Sequence, residues 1–280
     1  METFVFGEKP MTIEDVVDIA QRKKGVRLST DPAFIKKINA GADFLDSELE
    51  KHGGIYGVTT GYGDSCGKAV PADRYYELPL RLTRFHGCGM GEYFDEPTTR
   101  AIIAVRLNTL ACGYSGVSVE LLRAMEQLLV HDILPLIPQE GSVGASGDLT
   151  PLSYVAGTLV GERSVRFQGQ VREAKDVLAE LGLPVVRLRP KEGLAMMNGT
   201  GVMNAVACLA FSSAEYLSLL ACRITAMDSI ALKGNAYHFS ERLFAMKPHP
   251  GMAFVAARIR KDLGSVPATG VVPERIQDAY

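Results

Sequence analysis

Ala145-Ser146-Gly147 sets three residue types in an order that lets a peptide cyclise on itself. Gly147 has no Cβ, so its backbone nitrogen can closely approach the carbonyl carbon of Ala145. Ring closure expels one water. Loss of the Ser146 hydroxyl as a second water leaves a methylidene conjugated to the new five-membered ring. The product is an electrophile that no standard side chain provides. The tripeptide alone carries little weight, since at usages of roughly 7–8% per residue it arises by chance in about one chain of this length in ten. Its surroundings decide how it reads.

It sits in Gly141-Ser142-Val143-Gly144-Ala145-Ser146-Gly147-Asp148-Leu149-Thr150-Pro151-Leu152, one of four glycine-rich loops. The others are Tyr56-Gly57-Val58-Thr59-Thr60-Gly61-Tyr62-Gly63, His86-Gly87-Cys88-Gly89 and Asn198-Gly199-Thr200-Gly201. Familiar chemistries fail here on spacing. No G-x-x-x-x-G-K-[ST] occurs, and Gly61-x-Gly63 and Gly87-x-Gly89 lack the third glycine of a dinucleotide loop. Ser146 is not in G-x-S-x-G. His86 and Cys88, two residues apart, share no helix face, and nothing nearby completes a zinc site, so no metal is expected.

Helices must carry these loops. Thr12 and Asp15 form a capping box ahead of Ile13, Val16, Val17 and Ala20. Asp31-Pro32 opens a second helix with Phe34, Ile35, Ile38, Ala42, Leu45 and Leu49 on one stripe, and Gly53-Gly54 ends it. Further helices are predicted around Leu78–His86, Pro97–Leu110, Val119–His131, Glu173–Leu181, Thr200–Leu232 and Met252–Leu263. Strand signals reduce to Ser164–Phe167 and Gln170–Arg172 about Gln168-Gly169. The expected class is mostly α, a helical bundle with glycine-rich loops and at most a small β-hairpin.

Thirty Lys+Arg against 32 Asp+Glu give a net charge of −2 over 280 residues, which offers no footprint for nucleic acid or an anionic membrane. Five scattered cysteines form no disulfide framework, and the N-terminus lacks the apolar core of a signal peptide, so a cytoplasmic protein is expected. The apolar tract Gly201–Leu232 carries Asn204, Glu215, Arg223 and Asp228 and reads as a buried helix rather than a membrane span.

The Gly141–Leu152 string resembles the signature of the histidine/phenylalanine/tyrosine ammonia-lyase family, and the other loops follow in that family's order and spacing across essentially the whole chain. The resemblance implies 4-methylideneimidazole-5-one (MIO) formed autocatalytically from Ala145, Ser146 and Gly147, with no metal or nucleotide. Tyr56 matches the base that removes a β-proton, Tyr62 a lining residue, and Asn198 the asparagine near MIO and the substrate carboxylate. Gln277 and Tyr280 match the family's Gln-Asp-x-Tyr site. His86, with Arg84 beside it, matches the position that reads the substrate ring. On residue type alone Tyr56 also serves as a packing tyrosine, and His86 as a satisfied helix-end histidine.

The implied activity is deamination of an aromatic L-amino acid to an α,β-unsaturated acid and ammonia. Thr-Arg-Phe-His-Gly-Cys-Gly looks closer to a bacterial branch linked to aryl-polyene synthesis, which favours tyrosine over histidine or phenylalanine. An aminomutase, or a non-catalytic subunit with an uncyclised loop, are the alternatives. The family runs to roughly twice this length and usually assembles as a tetramer. This chain stops where relatives continue with Ser-x-Arg-Cys, so residues 1–280 are expected to be the N-terminal portion of a homotetramer subunit, inactive alone.

Overall fold

The structure, a computed structural model, describes residues 2–51, 54–144, 146–265 and 277–278. Thr12 opens the first helix as its sequence predicts. Asp15 N–H donates to the Thr12 hydroxyl at 3.2 Å and Thr12 N–H donates to Asp15 Oδ2 at 3.1 Å, so two orphan donors are satisfied reciprocally. Among the described residues the helices are α1 (Ile13–Ala20), α2 (Pro32–Lys51), α3 (Leu78–Phe85), α4 (Glu96–Ala111), α5 (Val119–Val130), α6 (Leu149–Leu159), α7 (Ala174–Glu180), α8 (Glu192–Met197), α9 (Gly201–Ala231), α10 (Glu241–Ala245) and α11 (Pro250–Leu263). The strands are β1 (Thr3–Phe6), β2 (Gly25–Leu28), β3 (Met90–Tyr93), β4 (Leu134–Pro135), β5 (Pro138–Glu140), β6 (Ser164–Phe167) and β7 (Gln170–Glu173).

With 57% helix the fold is mostly α. The expected hairpin is present as β6 and β7, with Phe167 opposite Gln170. Sheet content exceeds that one hairpin, however: β4 extends it to three strands, β1 pairs with β2 in parallel, and β3 pairs with β5 antiparallel. These strands hold two to four residues each. Most of their partners lie far along the chain, so local alternation does not announce them.

The chain divides into two units, Met1–Leu209 and Ala210–Tyr280. In the first, α4 lies at the centre of the core, its Ile102, Ile103, Leu107 and Leu110 fully buried and its neighbours α1 and α5. Two buried arginines on α4 serve the ends of other helices. Arg100 donates to Ile19 O and Leu129 O, both at 3.0 Å, and also pairs with Asp132. Those carbonyls belong to the last turns of α1 and α5, where intrahelical donors run out. Arg106 does the same for α8, beside the candidate site.

The sequence reading misses α6, α8 and the five-residue α10. Residues of α6 are buried on nearly every side, so no amphipathic stripe marks it, and Pro151 and Gly157 read as breakers. Pro151 falls in the first turn, where its missing N–H costs no intrahelical bond.

In the second unit, Cys222 and Ala226 of α9 pack with Ile259 of α11, and Arg223 pairs with Asp262 at 3.4 Å. The tract Gly201–Leu232 is helical but not the buried helix expected from its composition. Phe211, Leu217, Met227 and Ile230 are each more than half exposed. A helix apolar on all sides is buried only where neighbours surround it, and α11 packs on the side carrying Cys222 and Ala226. By length and composition alone Glu192–Ala231 could cross a membrane, a reading that Glu215, Arg223 and Asp228 oppose.

Candidate active site

The Tyr56–Gly63 loop is held by its own threonines. Ile55 N–H donates to Thr59 Oγ1 at 2.7 Å and Gly57 N–H to Thr60 Oγ1 at 3.2 Å, while Val70 N–H donates to Thr59 O at 2.8 Å. Gly57 takes φ +67°, and a Cβ there would crowd the Tyr62 ring and the Leu194 side chain, so only glycine closes this turn without strain. The Tyr56 and Tyr62 rings meet edge to face at 6.4 Å. Gly63 N–H donates to the Tyr56 phenol oxygen at 3.0 Å, placing a positive dipole where a phenolate would carry its charge. Burial, with Tyr56 nearby as a lesser cause, raises the Tyr62 phenol well above its ordinary value, so Tyr62 stays protonated.

Helix α3 supplies a second wall. Leu78, Arg81, Leu82 and Phe85 recur at the helical three- and four-residue spacing and all line the cleft. His86 caps the helix, its Nδ1 3.0 Å from Leu82 O. A carbonyl only accepts, so Nδ1 carries a proton toward it and Nε2 is the nitrogen left to meet a ligand. Arg84 is placed otherwise than expected. Its guanidinium makes a two-pronged pair with Glu162 and it does not line the cleft, because one position along a helix turns a side chain through about 100°.

The third wall joins two loops. Strand β3, following the His86 loop, pairs with β5, which precedes the Ser146 loop, so both loops leave one small sheet. Ser146 and Gly147 have φ of +59° and +88°, and Ser146 is exposed to the cleft. Asp148 N–H donates to Gly199 O at 2.7 Å. The buried Asp148 carboxylate accepts from Ser142 Oγ at 2.7 Å and from the N–H groups of Val202 and Met203, at 2.8 and 2.9 Å, in the first turn of α9. An anion at that position meets both orphan donors and the positive end of the helix. A Cβ on Gly147 would overlap the Gly199 backbone, so the Ser146 loop comes this close only with glycine at position 147. Asn198 presents a side-chain amide with no hydrogen-bond partner among the described residues, while its carbonyl accepts from Arg106 at 2.7 Å.

Tyr56, Tyr62, His86, Ser146 and Asn198 thus line one cleft of about 540 Å³ with Leu149 and Leu194. Ala145 and Tyr280 lie outside the described residues. Gln277 belongs to the second unit, where it is exposed beside Asp278, whose carboxylate accepts from Asn235 N–H at 2.9 Å. The sequence reading misses Arg81, the one permanently charged lining residue among those described, and the buried Asp148 and Arg106 beneath the loops. The i, i+3, i+4 stripe of α3 was an available signal for Arg81. For Arg106 there was none, since only the fold brings α4 under Asn198.

Residues 11–280 match the sequence model of the family described as aromatic amino acid lyase. The chain belongs to that family. It is 41% identical over 251 residues to a tyrosine 2,3-aminomutase of Chondromyces crocatus, covering 90% of this chain and 47% of that protein. It is 35% identical over 281 residues to a histidine ammonia-lyase of Staphylococcus aureus, covering 100% of this chain and 55% of that protein. The crystal structure of a tyrosine aminomutase from Streptomyces globisporus superposes with a TM-score of 0.86 at 36% identity, covering 92% of this chain and 48% of that one. The chain spans about half the length of the relatives it matches.

Proposed function

We propose that the protein carrying this chain is an ammonia-lyase that removes ammonia from an aromatic L-amino acid, tyrosine in preference to histidine or phenylalanine, with MIO formed from residues 145–147. The observation that carries this reading is the convergence of Tyr56, His86, Ser146 and Asn198 on one cleft. Ser146 and Gly147 fit the group: both hold left-handed φ values, uncommon backbone for Ser146, and Ser146 is exposed for loss of its hydroxyl. When formed, MIO supplies the electrophile that engages the substrate amine.

The chain's own residues account for the remaining chemistry. The Tyr56 oxygen, supported by Gly63 N–H, takes the β-proton. Asn198 offers a free amide that donates to a carboxylate oxygen. Nε2 of His86, an acceptor when the ring is neutral, suits a phenol O–H at the far end of an aromatic ring, and Tyr62 and the α3 leucines exclude water around it. Two extensions belong to the same proposal: residues 1–280 alone are inactive, which coverage of about half of each relative supports, and the complete protein is a cytoplasmic homotetramer, which the family resemblance implies.

An aminomutase is the second reading, favoured by the 41% identical relative that bears that name. The deciding experiment combines intact mass of the peptide spanning residues 145–147 with product analysis after incubation with tyrosine, histidine and phenylalanine. Loss of two waters with a free unsaturated acid supports the lyase, a β-amino acid product the aminomutase, and an unmodified peptide a non-catalytic subunit. His86→Phe is expected to lower kcat/KM for tyrosine relative to phenylalanine by about tenfold, the worth of one hydrogen bond of about 1.4 kcal/mol, without loss of MIO. Unchanged ratios across the three amino acids would remove His86 from ring recognition.

A further inference from the structure

Arg106 lies beneath the Asn198–Gly201 turn, 3% exposed. Its Nε donates to Met196 O at 3.0 Å, and its Nη2 donates to Asn198 O at 2.7 Å and to Ala195 O. These are carbonyls of the last turn of α8 and its cap, which lack helical donors and carry the negative end of the helix dipole. The adjoining Gly199 is the joint between Arg106 and the Ser146 loop. A Cβ on Gly199 would overlap Arg106 Nη1, while the Gly199 carbonyl accepts from Asp148 N–H and its backbone fills the space beside Gly147. A buried guanidinium thus sets the height of the turn, and the turn backs the C-terminal residue of the tripeptide.

We propose that Arg106 is a positioning residue for cyclisation of residues 145–147, holding the Asn198–Gly199 turn where it steers the Gly147 nitrogen toward the carbonyl carbon of residue 145. This rests on the MIO reading and extends it to how the group matures. The Gly147 nitrogen bonds to that carbon. The carbonyl oxygen departs as water with the protons of the Gly147 and Ser146 nitrogens, leaving a C=N bond. The Ser146 hydroxyl then departs as a second water with the Ser146 α-proton, leaving the C=C bond. No oxidant or reductant is needed. Burial pulls the guanidinium down to about 10, with Asp148 opposing, so it remains a cation at neutral pH. Lysine would keep the charge but not the planar fork that spans three carbonyls.

The test uses Arg106→Lys and Gly199→Ala in the protein expressed from its own gene. The readouts are intact mass of the 145–147 peptide and near-ultraviolet absorbance at fixed times, with circular dichroism and thermal melting to establish folding. Both variants are expected to fold and to lose water about 10²-fold more slowly than wild type, the scale of an approximately 1 Å misplacement. Asn198→Ala, which keeps the carbonyl and removes the amide, is expected to mature at the wild-type rate while losing turnover. A folded Arg106→Lys that matures as fast as wild type overturns the proposal and leaves the MIO reading standing, whereas an uncyclised wild type overturns both. Should Arg106→Lys fail to fold, Gly199→Ala decides, because it displaces the same turn with the charge retained.

Discussion

Ser146→Ala in the complete protein is expected to abolish the near-ultraviolet absorbance of the prosthetic group and to lower kcat by on the order of 10³-fold or more, the range for losing a group that acts covalently. The argument begins with the side chain. Ser146 is exposed, and its hydroxyl is the only group in the tripeptide able to leave as the second water. Alanine keeps the Cβ and therefore tolerates the φ of +59° about as well as serine does. Nothing buried is lost, so the melting curve should move by no more than a surface substitution allows, about 0.5 kcal/mol. Intact mass of the peptide checks the chemistry, and turnover with tyrosine checks its consequence. Wild-type turnover in this variant would remove MIO from the mechanism.

Tyr56→Phe carries the second large effect. The ring keeps its edge-to-face contact with Tyr62, and the substitution removes the oxygen that accepts from Gly63 N–H. Loss of that half-exposed hydrogen bond is worth about 1 kcal/mol to the loop. Loss of a general base is worth roughly 10²–10⁴-fold in rate. The expected signature is therefore a fall in kcat of that size with KM within a few-fold, since the phenol acts in the transition state rather than in ground-state binding. Tyr62→Phe is the matched control. Its phenol is held protonated by burial, so removing the oxygen should leave kcat within about tenfold of wild type, little more than one hydrogen bond's worth. If the two variants fall equally, Tyr56 is a packing residue and the base lies elsewhere.

The sequence carries the reactive part of this site because the chemistry restricts residue identity. A β-hydroxyl between a small residue and a glycine can be read so without coordinates, whereas Tyr56 and Asn198 are picked out by what the family resemblance of their loops implies. The amphipathic helices are legible for the same kind of reason: α1, α2, α3 and α5 each leave one face in water, so apolar residues recur at the helical period. The Thr12–Asp15 cap is legible because both partners lie within one turn.

Tertiary structure decides whatever depends on groups far apart in the chain or on burial from every side. Helix α6 has no polar face to mark its period. Strands β3 and β5 are too short for an alternation to emerge, yet their pairing brings the His86 and Ser146 loops together. Arg84 and His86 differ by two positions, and only the orientation of α3 sends one to Glu162 and the other to the cleft. Arg106 stands 92 residues from the carbonyl of Asn198 that it holds. Its partners are backbone carbonyls, which every residue type supplies alike. No pattern of side chains can record such a contact, so the residue types of the site come from the sequence and their mutual placement comes from the packed helices beneath them.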